Sequence, residues 1–167
     1  MHGIPHKLRL TEYNVMKGLV FIFLLAALAP GRMLGQQGEA TSRDLMDGII
    51  SEYYELNLRV FRENSEVGDI ERIFTLFTND FTYIHPRYGG TYSRETLYDG
   101  YLRNLQEGNY DGSITNIKIH NRIFGLNAVA VQKSFVEKNE GGIIEKNPEM
   151  TLFEFRDGKI CRITEFW

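Results

Sequence analysis

The chain has 167 residues, 43% apolar and 25% charged, with a formal net charge of −3 and one cysteine. That length favours a single folded core, and 13% aromatic residues give enough apolar surface to offset the entropy of ordering. Cys161, the lone cysteine, excludes an internal disulfide framework and a cysteine-rich zinc site, and with no basic run nothing points to nucleic acid.

Residues 1–35 read as an export signal with a possible upstream extension. Gly18 to Ala29 is free of charge, preceded by Lys17 and followed by Pro30-Gly31-Arg32. A bilayer span needs about 20 apolar residues and a signal core only about 7–15, so the run fits a secretory or periplasmic signal, with an uncleaved interfacial anchor as the alternative. Translation could start at Met1 or Met16, with Gly35/Gln36 a tolerable cleavage point. Lys7, Arg9, Lys17, Arg32 and Glu12 leave with this segment, so residues 36–167 carry 15 basic and 21 acidic residues. An anionic polymer is therefore not an expected partner.

Residues 36–41 read as a polar linker and 42–167 as the folded domain. Thr41 or Ser42 offers an N-cap, and Leu45, Ile49, Tyr53, Leu56 and Val60 recur at helical spacing, widened by Met46, Ile50, Tyr54, Leu58 and Phe61. This first helix should end near Asn64. Asp69 is expected to cap a second helix that buries Ile70, Ile73, Phe74 and Phe77. Asn79-Asp80 would stop it, and Phe81 to His85 reads as a strand ending at Pro86. Gly89-Gly90 permits a tight return, and Ser93 caps a third helix, closed by Gly108. Beyond Asp111-Gly112 the period changes to two, giving strands 114–124, 127–140, 143–156 and 159–167. Asn147-Pro148 marks a bulge or edge in the third of these, and Asp157-Gly158 is a two-residue hairpin signal. The class is α+β.

This order of elements resembles the nuclear transport factor 2-like superfamily, and within it the SnoaL-like and ketosteroid-isomerase-like branch. Two segments carry the resemblance: GDIERIFTLFTNDFTYIHP, from Gly68 to Pro86, and the terminal DGKICRITEFW. It implies three helices packed in a strongly curved, mostly antiparallel sheet, a cone-shaped cystatin-like α+β roll that commonly forms homodimers. Carried over residue by residue, the isomerase general base falls on His85, the oxyanion-hole tyrosine on Phe61 and the protonated aspartate on Thr151. Both strong enolate-stabilising donors are lost or weakened, which argues against steroid isomerisation.

Strand alternation groups Phe81, Tyr83 and His85; Val129, Val131, Lys133 and Phe135; Thr151, Phe153 and Phe155; and Cys161, Ile163, Glu165 and Trp167. The resemblance turns these rows inward. His85, Glu165 and Lys133 then become candidates for proton-transfer chemistry. Phe61, Tyr83, Phe135, Thr151, Phe153 and Trp167 become ligand-binding candidates. Against this stands a purely structural Lys133–Glu165 ion pair across adjacent strands, or a hydrogen-bonded loop His85. Lys118, His120 and Arg122 alternate onto what reads as a solvated outer face, opposite Ile117, Ile119 and Ile123. No metal-ligand spacing accompanies His85 and His120, and no dinucleotide or phosphate-binding motif points to a cofactor. Three functions stay open: a secreted protein binding a small apolar molecule, a cofactor-independent lyase, isomerase or cyclase using His85, and a non-catalytic dimeric interaction module.

Overall fold

The computed structural model describes the backbone of residues 30–167 and the side chains from residue 42 onward. Gly18–Ala29 and both candidate starts lie outside the described residues. The chain divides into two units, Met1–Ser42 and Arg43–Trp167. The first is described only as the helical backbone from Pro30. Among the described residues no helix is long and apolar enough to cross a membrane.

The elements are α1 (Pro30–Val60), α2 (Val67–Thr75), β1 (Phe77–His85), a 3-10 turn (Pro86–Tyr88), β2 (Gly90–Ser93), α3 (Arg94–Gln106), β3 (Ile114–Phe124), β4 (Ala128–Asn139), β5 (Gly142–Glu145), β6 (Glu149–Arg156) and β7 (Lys159–Glu165). They form the expected α+β arrangement. Backbone helix replaces the expected linker over 36–41. Gln36, Gln37, Glu39 and Ala40 are good helix formers, so their polarity suits a helix as well as a linker. The helix also stops at Val60, short of Asn64.

The sheet order is β2-β1-β7-β6-β4-β3, with β5 paired to β4; β1 and β7 run parallel and every other pair is antiparallel. The expected third long strand is thus two strands. Asn147-Pro148 separates β5, which pairs only with β4, from β6, because proline cannot donate to a ladder. Asp157 and Gly158 take φ of 53° and 71°, the positive values that a tight β6–β7 turn requires.

Irregularities in the ladders bend the sheet and re-aim side chains. Ile160 and Ile163 are both fully buried because a bulge at Cys161 shifts the β6–β7 register. Cys161 therefore leaves the inward row, its thiol 3.4 Å from the Glu154 carbonyl. A second bulge lies between Ile119 and Asn121 and breaks the expected alternation of β3. Lys118 and His120 meet Glu145 at 2.8 and 3.3 Å, whereas Arg122 crosses to Asp47 and Ser51 of α1, both at 3.1 Å. Ile123 ends 66% exposed, so the three basic residues do not share one outer face.

The hollow side of the sheet buries Phe81, Val129, Val131, Phe153, Ile160 and Ile163 against Met46, Ile50, Tyr54 and Val60 of α1 and Ile70, Ile73 and Phe74 of α2. Leu45, expected in the α1 stripe, points outward; the stripe runs instead through Met46, Ile50, Tyr53, Asn57 and Val60. At the start of α2 the cap is Glu66, not Asp69. Asp69 sits one turn in and its carboxylate accepts the Glu66 N–H at 3.2 Å, close enough in sequence to mimic a cap. Phe77 is buried as expected, but as the first residue of β1, which begins before Asn79. Ser93 caps α3 by accepting from the Thr96 N–H at 3.2 Å.

Candidate ligand cavity

Between α1, α3 and the hollow of the sheet lies a cavity of about 710 Å³. Its lining includes His85, Lys133, Glu165, Phe61, Tyr83, Phe135 and Trp167 of the candidate residues. Thr151 and Phe153 do not line it. Both are fully buried behind the wall, Phe153 edge-on to Tyr53 and Tyr54 at 5.4 and 5.7 Å. The rings of α1 cover that part of the row, so inward direction alone does not give access to the hollow.

The polar wall is built where three strands meet. Lys133, only 2% exposed, projects from β4 and pairs with Glu149 at 2.9 Å. Its distance to Glu165 is 3.9 Å. Strand order explains the ranking. β6 separates β4 from β7, and the residue directly opposite Lys133 is Glu149, so the expected Lys133–Glu165 bridge across adjacent strands does not exist in that form. Extending the Thr151–Phe153–Phe155 row by one step reaches Glu149, a signal present in the sequence but not followed.

Glu165 is held mainly by neutral donors. The Thr151 hydroxyl donates to Oε2 at 2.6 Å and the Trp167 indole N–H donates to the same oxygen at 2.7 Å. Lys133 also lies over the rings of Phe135 and Trp167, 4.5 and 5.3 Å from their centroids, a geometry that favours the cation.

His85 ends β1, where Pro86 forces the chain into the 3-10 turn. It is 3% exposed, and neither ring nitrogen has a hydrogen-bond partner within the protein. Trp167 stands edge-on to the imidazole at 4.5 Å and Tyr88 lies 4.3 Å away. Burial pulls its pKa below the usual imidazole value, with Glu165 opposing that shift. The ring is therefore neutral at neutral pH, with one donor and one acceptor nitrogen.

The helical wall adds residues that the sequence pattern does not mark as a site. Tyr101 of α3 donates to the Asn57 side-chain oxygen at 2.8 Å, and Asn57 donates to the Tyr53 carbonyl at 2.8 Å, tying α3 to α1. Tyr53, Tyr54, Tyr88, Tyr92, Tyr101 and Tyr110 join the lining. Burial is the largest cause raising the pKa of Tyr53, Tyr54, Tyr83 and Tyr101, and it pushes Tyr110 up to about 12. All stay neutral hydroxyls. The spacing of these tyrosines carries no signature beyond ordinary core periodicity, so the sequence gives no sign that they line a cavity. Among the described residues no group of three or more His, Cys, Asp or Glu side chains converges in a way that could hold a metal ion.

No protein-family model and no curated protein matches the sequence. Solved structures do. An NTF2-like protein from Anabaena variabilis is similar at a TM-score of 0.53 and 17% identity, over 74% of this chain and 89% of that one. A loop-truncation variant of IdmH is similar at 0.52 and 18% identity, over 72% and 90%. An NTF2-like protein of unknown function from Burkholderia xenovorans is similar at 0.50 and 16% identity, over 74% and 83%. Identities this low carry the architecture and not the chemistry, since one fold hosts many activities. The chain has the nuclear transport factor 2-like fold.

Proposed function

We propose that this chain is a SnoaL-like protein that holds one small, mostly apolar molecule in the cavity between α1, α3 and the sheet. The observation that carries the reading is the cavity itself. Its volume of about 710 Å³ lies within the range of roughly 300–1,000 Å³ typical of small-molecule sites. Aromatic walls with a few convergent polar groups at one end are the usual composition of such sites. Export by the Gly18–Ala29 segment and pairing of two copies belong to this reading as expectations. Thermal-shift screening against a broad apolar library tests it: a family of related hits raising Tm is expected, and no stabilisation by any compound would defeat it.

A second reading is favoured by one observation. A buried, neutral imidazole with both nitrogens unpartnered is poised to accept or donate a proton, and Lys133 with Glu149 and Glu165 lies in the same cavity. In that reading the protein is a cofactor-independent isomerase or lyase with His85 as general acid–base and Lys133 stabilising developing negative charge on oxygen. Loss of turnover in His85→Gln, with ligand affinity retained, is the expected result on any substrate found. Unchanged turnover would remove His85 from the chemistry.

A further inference from the structure

The charges of the buried polar wall do not cancel, since one lysine faces two glutamates. Lys133 is matched by Glu149 at 2.9 Å, while Glu165 receives it only at 3.9 Å. The close contacts of Glu165 are the hydroxyl of Thr151 and the indole N–H of Trp167, which stabilise its negative charge without neutralising it. Glu137 and Lys146 form a pair of their own at 3.1 Å, and Arg103, which also lines the cavity, is exposed, so solvent screens it. His85 adds no positive charge, because burial keeps it neutral. One negative charge is left over in a low-dielectric wall, where its field is strong. After burial, the charge of Glu165 is the next cause raising the pKa of both Tyr54 and Tyr83.

The oxygen that carries this charge toward a ligand can be named. All three contacts of the Glu165 carboxylate fall on Oε2, so Oε1 has no partner among the described residues. Aromatic rings line the cavity, and Phe135 and Trp167 already hold one cation, the Lys133 ammonium, over their faces, a setting that suits a cation better than an anion. His85, more than nine-tenths buried and unpartnered, adds an acceptor nitrogen in the same cavity.

We propose that the ligand is an apolar amine carrying a single positive charge, its ammonium group seated against Glu165 Oε1 and its body among the aromatic rings. The assignment rests on the small-molecule reading above and narrows it to one chemical class. An anionic ligand would add to the net negative charge that Lys133, Glu149 and Glu165 carry together, and a neutral one would leave that charge uncompensated.

Calorimetric titration of the full chain at pH 7 with three probes sharing one ring system tests this: naphthalen-2-ylmethylamine, naphthalen-2-ylmethanol and naphthalene-2-carboxylate. The amine is expected to bind about tenfold tighter than the alcohol, with the carboxylate weakest. In Glu165→Gln that advantage falls below about threefold, while the affinity for the alcohol changes little. An alcohol or carboxylate that binds the wild-type chain as well as the amine overturns the assignment and leaves the cavity reading standing. Retention of the full amine preference in Glu165→Gln overturns it too. Failure of all three probes to bind overturns the amine assignment, and the library screen above decides the cavity reading separately. Should the variant not fold, the ranking on the wild-type chain decides.

Discussion

Lys133→Met removes the cation that holds the polar wall together. Lys133 is 2% exposed, and the side chains of its partners Glu149 and Glu165 are 18% and 6% exposed. Methionine matches the length of the stem and fills the same space over Phe135, so the packing loss is small and the effect is electrostatic. Breaking a buried pair by removing one partner typically costs about 3–5 kcal/mol, because the orphaned charge stays buried. Here two carboxylates lose the cation they share, but Glu149, at 18% side-chain exposure, keeps some access to water. The lower end applies, about 3 kcal/mol. For a domain of this size that corresponds to roughly 10 °C in Tm. Urea unfolding followed by far-UV circular dichroism measures it. The triple variant Lys133→Met, Glu149→Gln, Glu165→Gln should regain most of the loss, since no uncompensated charge remains. A loss under about 1 kcal/mol in the single variant, or no recovery in the triple, would refute the claim that these three groups form one coupled buried cluster.

Three further outcomes follow from the same wall. Thr151→Val keeps the shape of a fully buried residue but deletes its 2.6 Å bond to the Glu165 carboxylate; a loss of about 1.5–3 kcal/mol in urea unfolding is expected, and a neutral result would mean that the bond carries no net stability. Because the folded-state pKa of His85 is depressed, its neutral form favours the fold above the unfolded-state value of about 6.5, and that contribution is lost as pH falls through the folded-state value. Tm measured from pH 8 down to 5 should therefore fall less steeply in His85→Phe than in the wild type, and parallel curves would contradict the burial account. Trp167 is the only tryptophan and lines the cavity, so a saturating ligand should change its emission and its quenching by acrylamide together; binding with a silent Trp167 would place the ligand elsewhere.

The architecture was legible because it rests on period and punctuation. Ser93, Gly89-Gly90 and Asp157-Gly158 act through local geometry that any tertiary context preserves. The errors lie where one extra residue in a ladder changes the parity of all that follows. The bulge at Cys161 brings Ile160 inward, and the bulge at His120 sends Arg122 and Ile123 to faces opposite those that alternation assigns. Strand order is a nonlocal property, so the sequence pattern could place Lys133 and Glu165 on inward rows without showing that β6 lies between them or that Glu149 is the nearer partner. The helical wall was hidden for a related reason. Tyr53 and Tyr101 look like ordinary core residues, and only their meeting across Asn57 makes them a lining.

The central claim, that this hollow accepts a small molecule, is tested most directly by filling it. Gly100 of α3 borders the cavity, and a Cβ added there meets no heavy atom within 4 Å. A glycine inside a helix costs about 1 kcal/mol relative to alanine, and replacing it offsets part of any strain from a larger side chain. Gly100→Phe is therefore expected to fold, as far-UV circular dichroism checks, with its ring in the ligand space. Titrating wild type and variant with naphthalen-2-ylmethanol, with Trp167 emission as the readout, should give saturable 1:1 binding in the wild type and a loss of at least about tenfold in affinity in the variant. Equal binding by a folded Gly100→Phe chain, or none by the wild type, would contradict the account.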